Sequence, residues 1–302
     1  MSFSATDVKN LREKTGVGMM ECKKALTETG GDMEKAVDWL REKGLAAAAK
    51  KSSRIAAEGL VTAITTGDVG VIAEINSETD FVAKNEDFQN FVADIAATIA
   101  EKNPADVDAL MQTQITNGAK SVEATLQEKI LVIGENIKIR RFNRATGVNV
   151  TYVHGEGRIG VLVNFAADAS AADNAEFVAM GRDIAMQIAA INPQYLNITD
   201  IPADVLEKEK AILTEQMLAE GKPANIVEKI VMGKLAKFYK ENCLIEQAFV
   251  KDNDITIKKL LEQKSAELGF EIAINSYTRF ERGEGIEKKE DNFADEVAAM
   301  TK

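Results

Sequence analysis

Gly70-Val71-Ile72-Ala73-Glu74-Ile75 and Gly160-Val161-Leu162-Val163-Asn164-Phe165 are the same kind of strand placed 90 residues apart, and their recurrence decides the fold. Each reads as the second arm of a β-hairpin. Leu60, Val61 and Ile64 precede the first, with a turn at Thr66-Gly67-Asp68. Thr151-Tyr152-Val153-His154 precedes the second, with a turn at Gly155-Glu156-Gly157. The likeness continues at an offset of 89, where Phe88, Asp94-Ile95-Ala96, Ile99-Ala100 and Asn103-Pro104 match Phe177, Asp183-Ile184-Ala185, Ile188-Ala189 and Asn192-Pro193. Proline disfavours the helical region for the residue before it, so a helix ending at Asn-Pro follows each hairpin. Farther on, Gly134-Glu135-Asn136-Ile137-Lys138-Ile139 matches Gly269-Phe270-Glu271-Ile272-Ala273-Ile274 at an offset of 135, each an alternating strand ending near Phe142 or Phe280. The fold class is therefore α+β, with a core of two duplicated α+β halves built on antiparallel sheets, residues 57–144 and 145–286.

The halves differ by an insertion. Pro104 to Gly134 spans 30 residues and Pro193 to Gly269 spans 76, so the second half carries 46 more. Within that excess Val205, Ile212 and Ala219 recur every seven residues, with Leu206 and Leu213 alongside. Val227, Val231, Leu235 and Phe238 follow a Gly221-Lys222-Pro223 break. This spacing predicts an antiparallel helical hairpin over about 201–241, projecting from the core. At the start of the chain, Thr6 or Asp7 caps a helix carrying Val8 and Leu11, and Thr15-Gly16-Val17-Gly18 ends it. A second helix runs from Met19 to Leu26 and stops at Gly30-Gly31. Asp32 caps a third with Met33, Ala36, Val37 and Leu40 on one face. Residues 1–44 thus form a three-helix module, and 45–56 is a helical linker whose Leu45–Arg54 stretch has three cations and no bulky core residue after Leu45. Within 287–302, Asp291 or Asn292 caps a C-terminal helix whose face of Phe293, Val297 and Met300 needs a neighbour or partner.

Composition narrows the chemistry. A net charge of −11 over 302 residues leaves no surplus of cations for neutralising phosphates, so nucleic acid is not the default partner. Cys22, Cys243 and His154 are the only residues of their types, which excludes clustered Cys/His zinc sites and leaves one imidazole as a possible general base. Phosphate-loop, dinucleotide and nucleophile-elbow patterns are absent. Gly155-Glu156-Gly157-Arg158-Ile159-Gly160 resembles a nucleotide loop only superficially. It lies inside a hairpin, where glycines supply positive φ. His154, alone near a turn, reads as a hydrogen-bonded surface or interface residue. No catalytic residue, cofactor or metal site is assigned. With no cationic start before an apolar run and no stretch of about 18 apolar residues, the expectation is a cytoplasmic protein with no membrane partner.

The most unusual local feature is Asn76-Ser77-Glu78-Thr79-Asp80-Phe81-Val82-Ala83-Lys84-Asn85, where a strand gives way to a polar run and then to two apolar residues at a loop tip. Local physics alone favours a packed arrangement, in which Thr79 or Asp80 caps the next helix and Phe81 folds back onto the sheet as a staple. The functional alternative is an aromatic anchor presented beside a carboxylate. In a chain only 6% aromatic, an exposed Phe on a rigid corner suits a protein partner.

These residues also carry a family resemblance over essentially the whole chain. Leu11-Arg12-Glu13-Lys14-Thr15-Gly16-Val17-Gly18-Met19-Met20-Glu21-Cys22-Lys23-Lys24-Ala25-Leu26 and Asn76-Ser77-Glu78-Thr79-Asp80-Phe81-Val82-Ala83 are similar to the start and the signature of bacterial translation elongation factor Ts, the guanine-nucleotide exchange factor of elongation factor Tu. The Gly134–Ile137 block with Arg140-Arg141, Tyr152 and His154 before Gly157–Val163, and Arg279-Phe280-Glu281 with Gly283–Glu287 resemble further family blocks in the same order. The resemblance implies that the N-terminal bundle is like the ubiquitin-associated (UBA) module. It also implies that the partner is elongation factor Tu, in a 1:1 or 2:2 complex, with no nucleic acid. Thr79, Asp80, Phe81 and Val82 are implied to intrude near the GTPase's Mg²⁺ and switch region. Arg12, Met19, Met20, His154, Phe293, Val297 and Met300 are implied as other contacts. Two positions depart from the family pattern, Glu156 within its turn and Ala248, where a proline is expected. A ubiquitin-binding adaptor is the rival reading of the N-terminal module, and it leaves the Thr79–Val82 block and the duplicated core without a use.

Overall fold

The first helix starts at Ser4, ahead of Thr6 and Asp7. Ser4 Oγ accepts from the Asp7 N–H at 3.3 Å while the Asp7 carboxylate accepts from the Ser4 N–H at 2.7 Å. In this reciprocal box the acidic residue is the third helical position and not the cap, which moves the start forward. The computed structural model describes residues 3–287, so the helix expected on Phe293, Val297 and Met300 lies outside the described residues. The chain divides into two compact units. One holds the residues up to Thr62, Ala73–Phe142 and those from Glu281, and the other holds Ala63–Ile72 and Asn143–Phe280.

In the first unit α1 (Ala5–Thr15), α2 (Met19–Glu28) and α3 (Met33–Lys51) share a core of Val8, Leu11, Cys22, Ala25, Leu26, Ala36 and Leu40. Asp32 caps α3 by accepting from the N–H groups of Glu34 and Lys35, both at 3.1 Å. The helix continues unbroken through the alanine-rich stretch. Strands β1 (Glu58–Thr66) and β2 (Val69–Ser77) form the expected hairpin, whose tip, Ala63–Ile72, is counted with the second unit. The short α4 (Asp80–Ala83) and then α5 (Glu86–Lys102) follow, the latter burying Phe88, Phe91, Val92, Ile95 and Ile99 along one face. Helices α6 (Val107–Gln112) and α7 (Val122–Ile133) lead to β3 (Lys138–Thr146), and the sheet order is β1-β2-β3. Leu131 and Val132 of α7 pack against the three-helix core.

In the second unit β4 (Val148–His154) and β5 (Ile159–Ala166) pair antiparallel from Val148 opposite Phe165 to His154 opposite Ile159. Their turn runs through Gly155, Glu156 and Gly157 at φ 58°, 53° and 86°. Glycine takes this left-handed region freely and Glu156 does so at some cost, as the hairpin turn between the paired strands requires. Helix α8 (Ala175–Ile191) lays Phe177, Ile184 and Ile188 on this sheet, with Phe177 edge-on to Phe165 at 5.0 Å. Helices α5 and α8 each have 17 residues and end on an asparagine at φ 49° and 52°, Asn103 and Asn192, before the proline.

The inserted segment forms α9 (Ala203–Ala219) and α10 (Ala224–Asn242). They pack through Met217, Val227, Val231 and Leu235, with Leu206 and Leu213 against them. The face of α9 used is thus Leu206-Leu213-Met217. The Val205-Ile212-Ala219 row lies beside it and leaves Ile212 exposed, because the wider side chains of the neighbouring row fill the groove. Strands β6 (Ala248–Phe249) and β7 (Asp252–Thr256) form a ribbon, and α11 (Ile257–Leu268) leads to β8 (Ala273–Glu281), which extends the sheet in the order β4-β5-β8. Among the described residues no helix is long and apolar enough to cross a membrane.

Phe177 is fully buried at the centre of the second unit. Phe177→Ala should lower unfolding stability by about 3 to 5 kcal/mol in urea titration, through lost transfer energy and the cavity left behind.

Candidate functional site

Strand β2 is buried along most of its length and carries one carboxylate inward. Glu74 is 0% exposed. A buried charge requires donors on every side, and Glu74 has four. Arg140 Nη1 lies 2.9 Å and the Gly283 N–H 2.8 Å from Oε1, Arg141 Nε lies 2.7 Å from Oε2, and Asn76 Nδ2 donates to Oε1 at 3.1 Å. Burial pushes the Glu74 carboxyl up. The Gly283 N–H, the Asn76 amide and the two guanidinium groups outweigh that and hold it below the usual carboxylate range. Gly283 sits at φ 70°, and a Cβ there would fall 2.2 Å from the Ala57 carbonyl oxygen. Only glycine brings its N–H this close. Arg282 adds an ion pair to Glu58 at 2.8 Å.

The end of β2 thus anchored leads into the signature loop. The Glu78 and Thr79 N–H groups donate to Glu135 Oε2 at 3.1 and 3.0 Å, and the Thr79 hydroxyl donates to Oε1 at 2.7 Å. In return the Glu78 carboxylate accepts from the Asn136 N–H at 2.6 Å and faces Arg54 Nη1 at 3.4 Å. Ser77 Oγ donates to the Thr79 carbonyl at 3.0 Å. With Thr79 turned to Glu135, α4 has no side-chain cap.

The packed arrangement favoured by local physics is not adopted. Phe81 is 78% exposed, while the next two residues, Val82 and Ala83, are buried beneath it. Asp80 is exposed and pairs with Lys84 at 3.3 Å, one turn on. The ring is therefore carried outward on a short helix seated through Val82 and Ala83. Sequence reasoning missed Glu135 and Glu74 as individual residues. Glu74 had a signal, a charged residue in an apolar strand, whereas the partners of Glu135 lie 56 and 57 residues away and leave no periodic trace.

The other expected contact residues also lie at the surface. Met20 is 73% and Met19 45% exposed at the start of α2, and Arg12 is exposed on α1 in the same unit. His154 is exposed at the end of β4 in the second unit, its Nδ1 2.9 Å from the Tyr152 hydroxyl. The group that the imidazole faces is thus a phenol hydroxyl, not a carboxylate or nucleophile. Both cysteines are buried thiols. Burial, helped by the charges of Glu246 and Asp200, pushes Cys243 up to about 11, well away from a reactive thiolate. No group of three or more His, Cys, Asp or Glu among the described residues is arranged to hold a metal ion.

Comparison with known proteins identifies the family. The elongation factor TS family matches residues 78–284, a span that opens on the loop held by Glu135 and closes on the turn held by Glu74. The elongation factor Ts of Clostridium perfringens (strain SM101 / Type A) is 54% identical over 303 residues, covering 99% of each chain. That of Clostridium novyi (strain NT) is 53% identical over 300 residues, covering 97% of each. That of Syntrophotalea carbinolica is 48% identical over 305 residues, covering 100% of each. The class is that of the elongation factors of protein biosynthesis. The chain belongs to the elongation factor Ts family.

Two stability results follow from this geometry. Phe81→Ala should change unfolding stability by no more than about 0.5 kcal/mol, because the ring packs on little. Glu74→Gln should destabilise at pH 7 by about 3 kcal/mol, since Arg140 and Arg141 lose the buried carboxylate they share, although Arg141 retains its ion pair with Glu284 at 3.0 Å. Because the native Glu74 carboxyl titrates below its unfolded value of about 4.3, its contribution is fully present above that pH and is lost as pH falls through the native value. In urea titrations the gap between wild type and Glu74→Gln should therefore hold from pH 7 down to about 4.3 and shrink as pH falls further, and a gap that stays constant below that value would contradict the assignment.

Proposed function

We propose that the chain is a guanine-nucleotide exchange factor that binds elongation factor Tu carrying GDP and speeds GDP release, with Asp80 and Phe81 as the intruding pair. The supporting observation is the outward Phe81 ring, 78% exposed on a helix whose following residues are buried. An apolar ring held in water is stabilised when it enters a partner's pocket, by about 2 kcal/mol for full burial, and a rigid aromatic at a corner is the usual form of an interface hot spot.

Nucleotide affinity in such GTPases rests on Mg²⁺ and on backbone N–H groups around the phosphates. A wedge that displaces the switch region removes several of these charge-assisted contacts together, and release becomes fast without covalent chemistry. Coupling between the two ligands is reciprocal. The factor by which the exchange protein weakens nucleotide binding is the factor by which incoming GTP weakens the exchange protein. Thr79 and Val82 flank the wedge. Arg12, Met19, Met20 and His154 are assigned to the surrounding contact surface, as are Phe293, Val297 and Met300. On the same reading residues 1–44 are a UBA-like module, residues 57–144 and 145–286 are the two related halves, and the bacterial cytoplasm is the place of work.

The experiment is stopped-flow release of a fluorescent GDP analogue from elongation factor Tu, alone, with this protein, and with Phe81→Ala. The wild type should accelerate release, and the variant should lose at least about tenfold of that acceleration. Full activity in a folded Phe81→Ala would move the mechanism to Asp80 or the wider interface. No acceleration by the wild type would end the exchange reading.

A further inference from the structure

We propose that Glu135 is a positioning residue for exchange: its carboxylate sets the direction of Phe81 without touching the partner. The inference rests on the reading of Phe81 as the wedge. Glu135 follows Gly134, the left-handed end of α7 at φ 86°, so the carboxylate projects from a helix end and not from the loop it holds. Its hydrogen bonds among the described residues go to Glu78 and Thr79, the two residues before α4. Two consecutive N–H groups converging on one oxygen restrict the backbone between them, and the Thr79 hydroxyl on the second oxygen restricts the side chain.

Threonine at a helix start ordinarily accepts from the first turn and stabilises the helix. Here that hydroxyl donates to Glu135 and α4 is left without a side-chain cap, so a local stabilising contact is exchanged for an aiming one. The clasp runs in both directions, because Glu78 accepts from the Asn136 N–H and the Asn136 amide donates to the Arg54 carbonyl at 2.7 Å. Phe81 itself packs on little. Without Glu135, Val82 and Ala83 still seat the helix, but the residues before it lose three charge-assisted bonds and with them the fixed approach of the ring. Docking through the wider surface is retained while the step that needs the ring slows.

The test titrates each variant against elongation factor Tu loaded with the fluorescent GDP analogue and reads the maximal release rate and the half-saturating concentration separately. Glu135→Ala should lower the maximal rate about tenfold while half-saturation moves less than about twofold. Glu135→Gln should retain at least about a third of the rate, because its amide oxygen can accept both N–H groups while its NH₂ donates to the Thr79 hydroxyl. In a Phe81→Ala background Glu135→Ala should cost less than about twofold, since no ring is left to aim. Thr79→Val removes the hydroxyl bond alone, serves if Glu135→Ala fails to fold, and should cost about threefold. The inference is overturned if the full effect of Glu135→Ala persists without Phe81, or if folded Glu135→Ala or Thr79→Val matches wild type. A wild type that does not accelerate release, or a Phe81→Ala that loses nothing, overturns the reading of Phe81 instead, and these arms keep the two failures apart.

Discussion

A carboxylate withdrawn from solvent is the constraint on which the first unit depends. An unpaired charge at the position of Glu74 would cost several kcal/mol, and four donors offset that cost. They come from β2 itself, from β3 and from the turn after β8, segments separated by up to 209 residues along the chain. The charge is fully satisfied only when all of them are in place. Glu74 lies on the strand that runs directly into Asn76-Ser77-Glu78-Thr79, and the exit direction of that strand is the starting point of the signature loop.

Much of this was legible in the sequence where the signal is local and periodic. The paired hairpins, the helices ending at Asn103-Pro104 and Asn192-Pro193, and the two inserted helices all follow from periods of two and of three to four residues. Where two solutions satisfy the same local rule, the pattern picks the wrong one. Ser4 and not Thr6 or Asp7 caps the first helix, because a capping box places hydroxyl and carboxylate at both ends of one turn. On α9 the expected Leu206 and Leu213 do form the seam, joined by Met217, while the Val205-Ile212-Ala219 row read with them lies beside it, because adjacent rows on a helix share the seven-residue spacing.

Phe81 is the instructive case. Local physics folds the ring back as a staple, and it stands outward instead because Thr79 is bonded to Glu135. That partner lies in the second of two blocks that sequence reading treats as separate motifs. Gly134-Glu135-Asn136 and Glu78-Thr79-Asp80-Phe81 are one device in space, each contributing a carboxylate that accepts from the other's backbone. Long-range pairs of this kind have no period, so a single sequence gives no means of reading them.

An outward ring on a loop held in this way suits a protein that acts by contact. An aromatic ring has only two side-chain torsions to lose on docking, and a loop already held by charge-assisted bonds has little left to order. The loop is therefore held before any partner arrives, and native-state amide hydrogen exchange on the free protein measures this directly. The Glu78 and Thr79 amides, lying outside any helix or strand hydrogen-bond ladder, should exchange on the order of a hundredfold or more slower than in an unstructured peptide, with Glu135→Ala removing that protection. Exchange of both amides at unstructured rates in the wild type would contradict the account, because the ring would then be directed only after docking.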